Sequence, residues 1–489
     1  MLNKKVKKKI TPIIKKLEQE FSFGDKNINI LILSCLIMII SIYWSFFSLV
    51  FCYVSGILGI CLILLLSYFN KSTLYPLYFL LFLLPFSMVL RIPNKSFGFY
   101  SLFIAFFVIE NCIAWLIKII KKNKKFNLLT FIPAFVLSLY LFILHIMGNY
   151  SLSNCVSFVL GVLFLFVIVE NISKIKMKEL FLLFIFGLLI SCLIGLHYKS
   201  YPTLSRFYNI TNALGVIRFS ALFPNTNAFT MNVLMAIGMI SCLYLSGKVD
   251  IIFYPLLLLL LIISFSTLSK MTFIVLFVVI VMLFLLRLFC KETKSLKWKS
   301  ILILAITVIL AILIQFNNFK LITKRIVSPF INNEISKNEE YIEEDISNNI
   351  FYNDIDYNSI NGFTTGRVEL WKNCIKKILK NKRTLFFGCD KGKEYNITKT
   401  IDGSPHNTYL QITYVTGIIG FVLILILIIT YLIYICKKSF NYNGLILFFT
   451  IGMCFFSLDA FSYIGFIMIS MSLLGLRNNK KEEENNVNT

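Results

Sequence analysis

Residues 30–69 form one apolar stretch of about forty residues without a charged side chain. A helix that crosses a bilayer needs about 20 apolar residues, so this run reads as two spans with a turn near Ser45 to Ser48. Inside lipid only helices and closed barrels satisfy every backbone polar group. A barrel would show ~10-residue segments of alternating character, whereas the apolar runs here are continuous. The expected fold class is an all-α polytopic membrane protein.

The rest of the 489-residue chain repeats the pattern. It is 58% apolar and 15% charged, where a soluble domain carries about 25% charged residues. That excludes a soluble enzyme, a disordered chain and a nucleic-acid-binding module. About 14 transmembrane helices are expected, at 28–46, 48–69, 73–91, 97–118, 127–147, 152–171, 179–197, 225–246, 250–267, 271–290, 299–316, 408–436, 444–457 and 460–476. The net charge of +24 reads as lysine in cytoplasmic loops rather than as a nucleic-acid surface. Residues 1–27 are Lys-rich and lack a cleavage-site pattern, so a cytoplasmic tail is expected. Ile10, Ile13, Ile14 and Leu17 in it suit a short amphipathic helix on anionic lipid.

Orientation follows from counting Lys and Arg. With the N-terminus inside, the inner segments hold 28 of the 48 basic residues and the short outer loops hold 6. Long loops are excluded from that comparison. Both termini are then cytoplasmic in a multi-pass inner-membrane protein. The organisation is a basic tail (1–27), a bundle of spans 1–11 (28–316), a large outer loop (317–407), spans 12–14 (408–476) and a cytoplasmic tail (477–489).

The outer loop has two characters. Residues 332–361 are rich in Asn, Asp, Glu and Ser, a composition that disfavours a packed core. In GRVELWKNCIKKILKNKR (366–383), Val368, Trp371, Cys374, Ile375, Ile378 and Leu379 fall at helical spacing, with lysines 372, 376, 377 and 380 opposite. An amphipathic helix on the membrane surface or on the bundle is expected. Gly388, Gly392 and Gly403 then break the chain before SPHNTYL opens the next span. Most of the twelve cysteines lie in apolar runs and act as small hydrophobes. Cys374 and Cys389 are both in the outer loop and could form a disulfide.

Few groups can carry chemistry. The chain has three His residues. His145 and His197 fall near outer span ends and read as interfacial or packed rings. His406 stands in Ser404-Pro405-His406-Asn407-Thr408-Tyr409 at a span start, where Pro405 suits a first helical turn. The partial positive charge of a helix N-terminus disfavours imidazolium, so a neutral ring able to accept a proton is expected. A capping role is the alternative. Arg218 precedes PNTNA (224–228), and Arg367 begins the amphipathic helix. An outer arginine can grip phosphate or pyrophosphate bidentately, or it can snorkel to lipid headgroups. Asn225 and Asn227 beside Pro224 serve equally as turn and cap residues. Glu110 within a span is a candidate functional carboxylate or a packing partner. Asp459 and Lys270 fall in short outer turns.

These blocks resemble the O-antigen ligase/polymerase superfamily of bacterial surface-polysaccharide enzymes. The resemblance rests on Arg218 with FPNTNAF (223–229), on TTGRVELW (364–371), and on SPHNTYLQITYVTGIIGF (404–421). It covers roughly residues 200–440, and the earlier spans match only generically. It implies a GT-C-like, metal-independent glycosyltransferase with no cofactor. The donor and acceptor would be undecaprenyl-pyrophosphate-linked oligosaccharides. Arg218 and Arg367 would bind pyrophosphate, His406 would be the general base, and Asn225, Asn407 and Tyr409 would contact substrate. The partners would be these glycolipids, membrane lipid and a chain-length regulator, with no nucleic acid.

Within the superfamily, a repeat-unit polymerase for O-antigen, capsule or exopolysaccharide is favoured by the long, divergent, Asn- and Ile-rich outer loop. A ligase that delivers the glycan to a final acceptor such as lipid A-core is the first alternative. A lipid-linked oligosaccharide flippase is the second, although such transporters show two related halves that are absent here. A peptidoglycan polymerase of the shape-and-division type is a further option, but it would want a catalytic carboxylate in the outer loop.

Overall fold

The computed structural model describes residues 28–45, 48–69, 74–87, 89–90, 98–121, 127–149, 151–199, 219–223, 226–289, 294–331, 367–390, 405–438, 440–456 and 463–477. It also describes positions 12, 15, 16 and 19 and the strand residues 212–213 and 216–217. The acidic segment 332–361, Arg218, Pro224, Asn225 and Asp459 lie outside the described residues.

The first seven helices are α1 (Ile28–Ser45), α2 (Leu49–Phe69), α3 (Tyr75–Leu83), α4 (Phe99–Ile120), α5 (Leu128–Ile146), α6 (Leu152–Glu170) and α7 (Met177–Lys199). A two-residue antiparallel pair, β1 (Asn212–Ala213) and β2 (Val216–Ile217), follows. Then come α8 (Thr226–Leu245), α9 (Phe253–Ser266), α10 (Lys270–Leu288), α11 (Lys294–Ile314) and α12 (Phe316–Ile331). The set closes with α13 (Arg367–Lys380), α14 (Lys382–Phe387), α15 (Thr408–Lys438), α16 (Leu445–Phe455) and α17 (Tyr463–Gly475).

Local chemistry explains many of the ends. Asn127 and Ser151 cap α5 and α6 by accepting the N–H groups of Leu129 at 3.2 Å and Asn154 at 3.3 Å, each satisfying one of the donors a helix start leaves open. The forty-residue run turns between Ser45 and Leu49, where Ser45 Oγ donates to the Ile42 carbonyl at 2.7 Å.

Among the described residues, eight helices are long and apolar enough to cross a membrane, or nine if α11 and the start of α12 count as one span bent by 83°. Five shorter apolar helices, Tyr75–Phe86, Phe253–Ser266, Thr272–Leu288, Tyr442–Phe455 and Tyr463–Gly475, occupy the other predicted spans. The protein is thus an all-helical, multi-pass membrane protein apart from the two-residue strands. Two boundaries differ from expectation. Lys270 opens α10 instead of lying in a turn. The predicted outer loop starts with a helix, α12, because Phe316–Ile331 mixes apolar and basic residues with amphipathic spacing.

The core sits around α8, whose residues are almost all buried. It packs against α7, α9, α10 and α16, as expected of a helix that is apolar on every side. A second group joins α6 to α4, α5 and α17, and α15 packs on α5. Residues such as Ile40, Ile57 and Leu313, on the outer wall, are more than half exposed, which suits contact with lipid tails.

Polar contacts sort the bundle into two ends. At one end Lys16 pairs with Asp250, Lys178 Nζ donates to the Gln19 carbonyl at 3.0 Å, Asn441 Nδ2 donates to Ser246 Oγ at 3.1 Å, and Arg477 donates to the Ile172 carbonyl. Both the N-terminal segment and Arg477 therefore lie at this end. At the other end the Tyr43 hydroxyl meets His197 Nε2 at 3.2 Å, and Arg383 Nη2 donates to Asn149 Oδ1 at 2.8 Å. The charge count predicts that the Lys16 and Arg477 end faces the cytoplasm. A fusion reporter after Arg477 should then be active only as a cytoplasmic reporter, and one inserted at Lys380 only as an outer reporter. The reverse pattern would overturn the orientation.

Candidate functional site

The N-terminal end of α15 is a short helical segment ahead of a break at Gly417, where φ is 70° and ψ 176°. The break leaves carbonyls without their usual partners. The Tyr140 hydroxyl of α5 donates to the Thr416 carbonyl at 2.7 Å, and the Cys389 N–H donates to the Tyr414 carbonyl at 2.8 Å. The chain leaving α14 thus crosses α15 at the break. Asn149 Nδ2 donates to the Phe387 carbonyl at 3.3 Å and holds the crossing from the other side. Cys374 and Cys389 are both buried and are not joined by a disulfide.

This crossing sets α13 beside the start of α15. Cys374 and Ile378 are buried on α13, which packs on both α14 and α15. Trp371 Nε1 donates to the Pro405 carbonyl at 2.8 Å. Arg367 is four residues earlier, one turn away on the same face of α13, and is half-buried. The two loop motifs, 34 positions apart at Trp371 and Pro405, are therefore fixed to each other by an indole and a buried helix face.

His406 follows Pro405 and has φ +47°, a left-handed conformation in which His, Asn and Asp are enriched. Its ring is half-buried. Pro405 does not lie in the first helical turn as expected; α15 starts at Thr408. Asn407 is the cap, with Oδ1 accepting the Leu410 N–H at 3.1 Å. The Tyr409 hydroxyl donates to the Gly452 carbonyl at 3.0 Å, and its ring packs on Phe456 at 4.8 Å. Asn407 and Tyr409 are thus engaged in holding the site's frame.

The third block is described on both sides of Pro224 and Asn225. The Phe219 N–H, next to Arg218, donates to the Ser266 carbonyl at 3.1 Å. Phe219 and Phe223 both pack on Phe229. Ser269 Oγ donates to Asn227 Oδ1 at 3.4 Å. The block is therefore tied to the α9–α10 turn at the same end as His406, and α16 contacts both α8 and α10. Ala221 and Leu268 share with His406 a positive φ, at 49° and 52°. Strain of this kind clusters at functional sites.

The remaining candidates sit elsewhere. His145 is half-buried in the last turn of α5, and His197 is exposed beside Tyr43. Glu110 is exposed on α4 and accepts from Ser67 Oγ at 2.5 Å, near the opposite end of the bundle. Among the described residues no three His, Cys, Asp or Glu side chains gather into a metal-binding set. Sequence reasoning placed Trp371 only as an apolar helix residue. Its link to Pro405 is a contact across 34 positions, which helical periodicity does not encode.

Residues 255–425 match the family model described as O-antigen ligase. The match supports the O-antigen ligase/polymerase superfamily. It runs from the start of α9 into α15, so it includes Arg367, Trp371, His406, Asn407 and Tyr409 and excludes Arg218 and Asn225. No curated protein matches the chain.

Proposed function

We propose that this chain is a GT-C-like membrane glycosyltransferase that moves a glycan from undecaprenyl pyrophosphate, and within that class a repeat-unit polymerase at the outer face of the cytoplasmic membrane. The O-antigen ligase match over 255–425 supports lipid-linked polysaccharide substrates. The observation that carries the reading is the Trp371–Pro405 hydrogen bond. It fastens the helix that begins with Arg367 to the segment that holds His406.

In this mechanism an acceptor hydroxyl attacks the anomeric carbon of the donor. The new C–O bond forms as the bond to pyrophosphate breaks, with inversion. The hydroxyl proton passes to the His406 ring. Undecaprenyl pyrophosphate leaves with the bonding electrons, and the growing charge meets Arg367 and, by its place in the motif, Arg218. Such preset charges stabilise a leaving group in a dry site far more than in water. Asn407 and Tyr409 support this arrangement by shaping the span start, and Asn225 is proposed, by its place in the motif, as a substrate contact. Fourteen crossings, both termini in the cytoplasm and a chain-length regulator as partner complete the proposal.

The test uses purified protein, a lipid-linked repeat unit and a chelator. Polymer ladders are the expected product. Arg367→Ala should slow transfer by about 10²-fold, the scale of one lost charge-stabilising donor. Arg367→Lys should recover only part of it, since the charge remains and the fork is lost. Normal polymer from Arg367→Ala at normal expression would remove the phosphate-binding role. The ligase reading is favoured by the description of the matching family. Transfer to lipid A-core without elongation of repeat units would establish it over the polymerase.

A further inference from the structure

Asn407 and Tyr409 were the polar groups expected to meet the glycan beside His406, and both are already engaged in backbone hydrogen bonds. Gln411 differs. Its N–H donates to the Asn407 carbonyl at 2.9 Å, so it lies one turn along α15 from the residue that follows His406, on the same side of the helix. Gln411 is 4% exposed, and among the described residues its Oε1 has no hydrogen-bond partner. A buried acceptor without a donor has given up water for nothing, and native proteins keep few of them.

A second such group lies at the same end. Asn232, six residues into α8, is also 4% exposed. Its Nδ2 donates to the Ala228 carbonyl at 2.9 Å, while Oδ1 has no partner among the described residues. Hydroxyls surround that depth of α8 and α10, where Thr272 Oγ1 donates to Thr230 Oγ1 at 3.3 Å. Two buried amide oxygens without donors, at the end of the bundle that holds His406, fit a ligand rich in hydroxyl groups.

We propose that Gln411 Oε1 accepts a hydrogen bond from a sugar hydroxyl of the lipid-linked glycan and so holds that ring against His406. Gln411 is then a positioning residue, and the inference rests on the glycan-transfer reading above. Asn407 caps the helix and Gln411 meets the substrate.

The test measures steady-state transfer and thermal unfolding of the full-length protein in detergent. The probe is the undecaprenyl-pyrophosphate-linked oligosaccharide purified from the source cells. Gln411→Met keeps the length and removes the amide. It should leave the unfolding midpoint unchanged or higher, because an unmet acceptor is gone. It should raise KM for the glycolipid about tenfold, the scale of one lost hydrogen bond, with a smaller change in kcat. Gln411→Glu, which keeps an acceptor, should recover most of the KM. An unchanged KM in Gln411→Met would overturn the assignment, and so would a lowered midpoint with kcat and KM both impaired and no rescue by Glu. A wild-type protein that transfers no glycan would sink the functional reading itself and this inference with it.

Discussion

Replacing His406 by Ala should reduce glycan transfer by about 10²–10⁴-fold, the range a positioned general base contributes, in a protein that stays folded and inserted. Stability should survive because the ring does not cap α15. That role belongs to Asn407, whose side chain reaches the Leu410 N–H at 3.1 Å. The backbone at His406 is the complication. Its φ of +47° costs an L-residue of order 1–3 kcal/mol, and Ala bears that cost no better. His406→Gly separates the two effects, since Gly adopts positive φ without strain. Both variants should be equally inactive if the imidazole takes the proton. His145→Ala and His197→Ala should be milder, because neither ring lies in the 405–411 segment. Full transfer by His406→Gly would show that only the backbone shape matters there and would remove the ring as the base.

The fold was legible in sequence wherever the governing interaction is local or repeats along one helix. The turn inside the forty-residue run, the span starts and the amphipathic helix after Arg367 follow from apolar periodicity and caps, and Ser45 to Leu49 and Arg367–Lys380 stand where the pattern puts them. The candidate site was legible as residue types beside span ends. Its assembly was not. Trp371 reaches Pro405 across 34 positions, and Tyr140 reaches Thr416 across 276. Such contacts depend on which helices neighbour one another, and an apolar run facing lipid on one side says little about its neighbour on the other. The same holds for Gln411. Its special feature is an acceptor left without a donor by burial, which no sequence pattern signals. Length misled in the shorter helices. α9 and α16 hold 14 and 11 residues, because the turn at 251–252 and the 3₁₀ turn at Tyr442–Gly444 take residues beside them.

Substituting Ala for Gly417 or Gly388 should abolish transfer without touching any candidate catalytic group. Both glycines adopt a conformation that is essentially restricted to glycine, with φ 70° and ψ 176° at Gly417 and φ 87° and ψ −178° at Gly388. A Cβ at Gly417 would stand 2.2 Å from the Phe386 carbonyl oxygen, and one at Gly388 would stand 2.1 Å from that of Val415. Each obstacle is backbone, so no rotamer change relieves it. The chain after α14 would have to lift off α15, and the Cys389 N–H bond to the Tyr414 carbonyl would be lost with it. Backbone strain of about 1–3 kcal/mol and about 1 kcal/mol per lost hydrogen bond together exceed what a short surface helix such as α14 can hold. With α14 displaced, α13 loses its seat and Arg367 moves away from His406. Limited proteolysis should then cut within 367–390 in either variant while the spans stay protected. Tyr140→Phe removes the hydroxyl that donates to the Thr416 carbonyl at 2.7 Å and should weaken transfer several-fold at most. Wild-type transfer and an unchanged cleavage pattern in Gly417→Ala would mean that the crossing at the α15 break does not hold the outer loop in its working position.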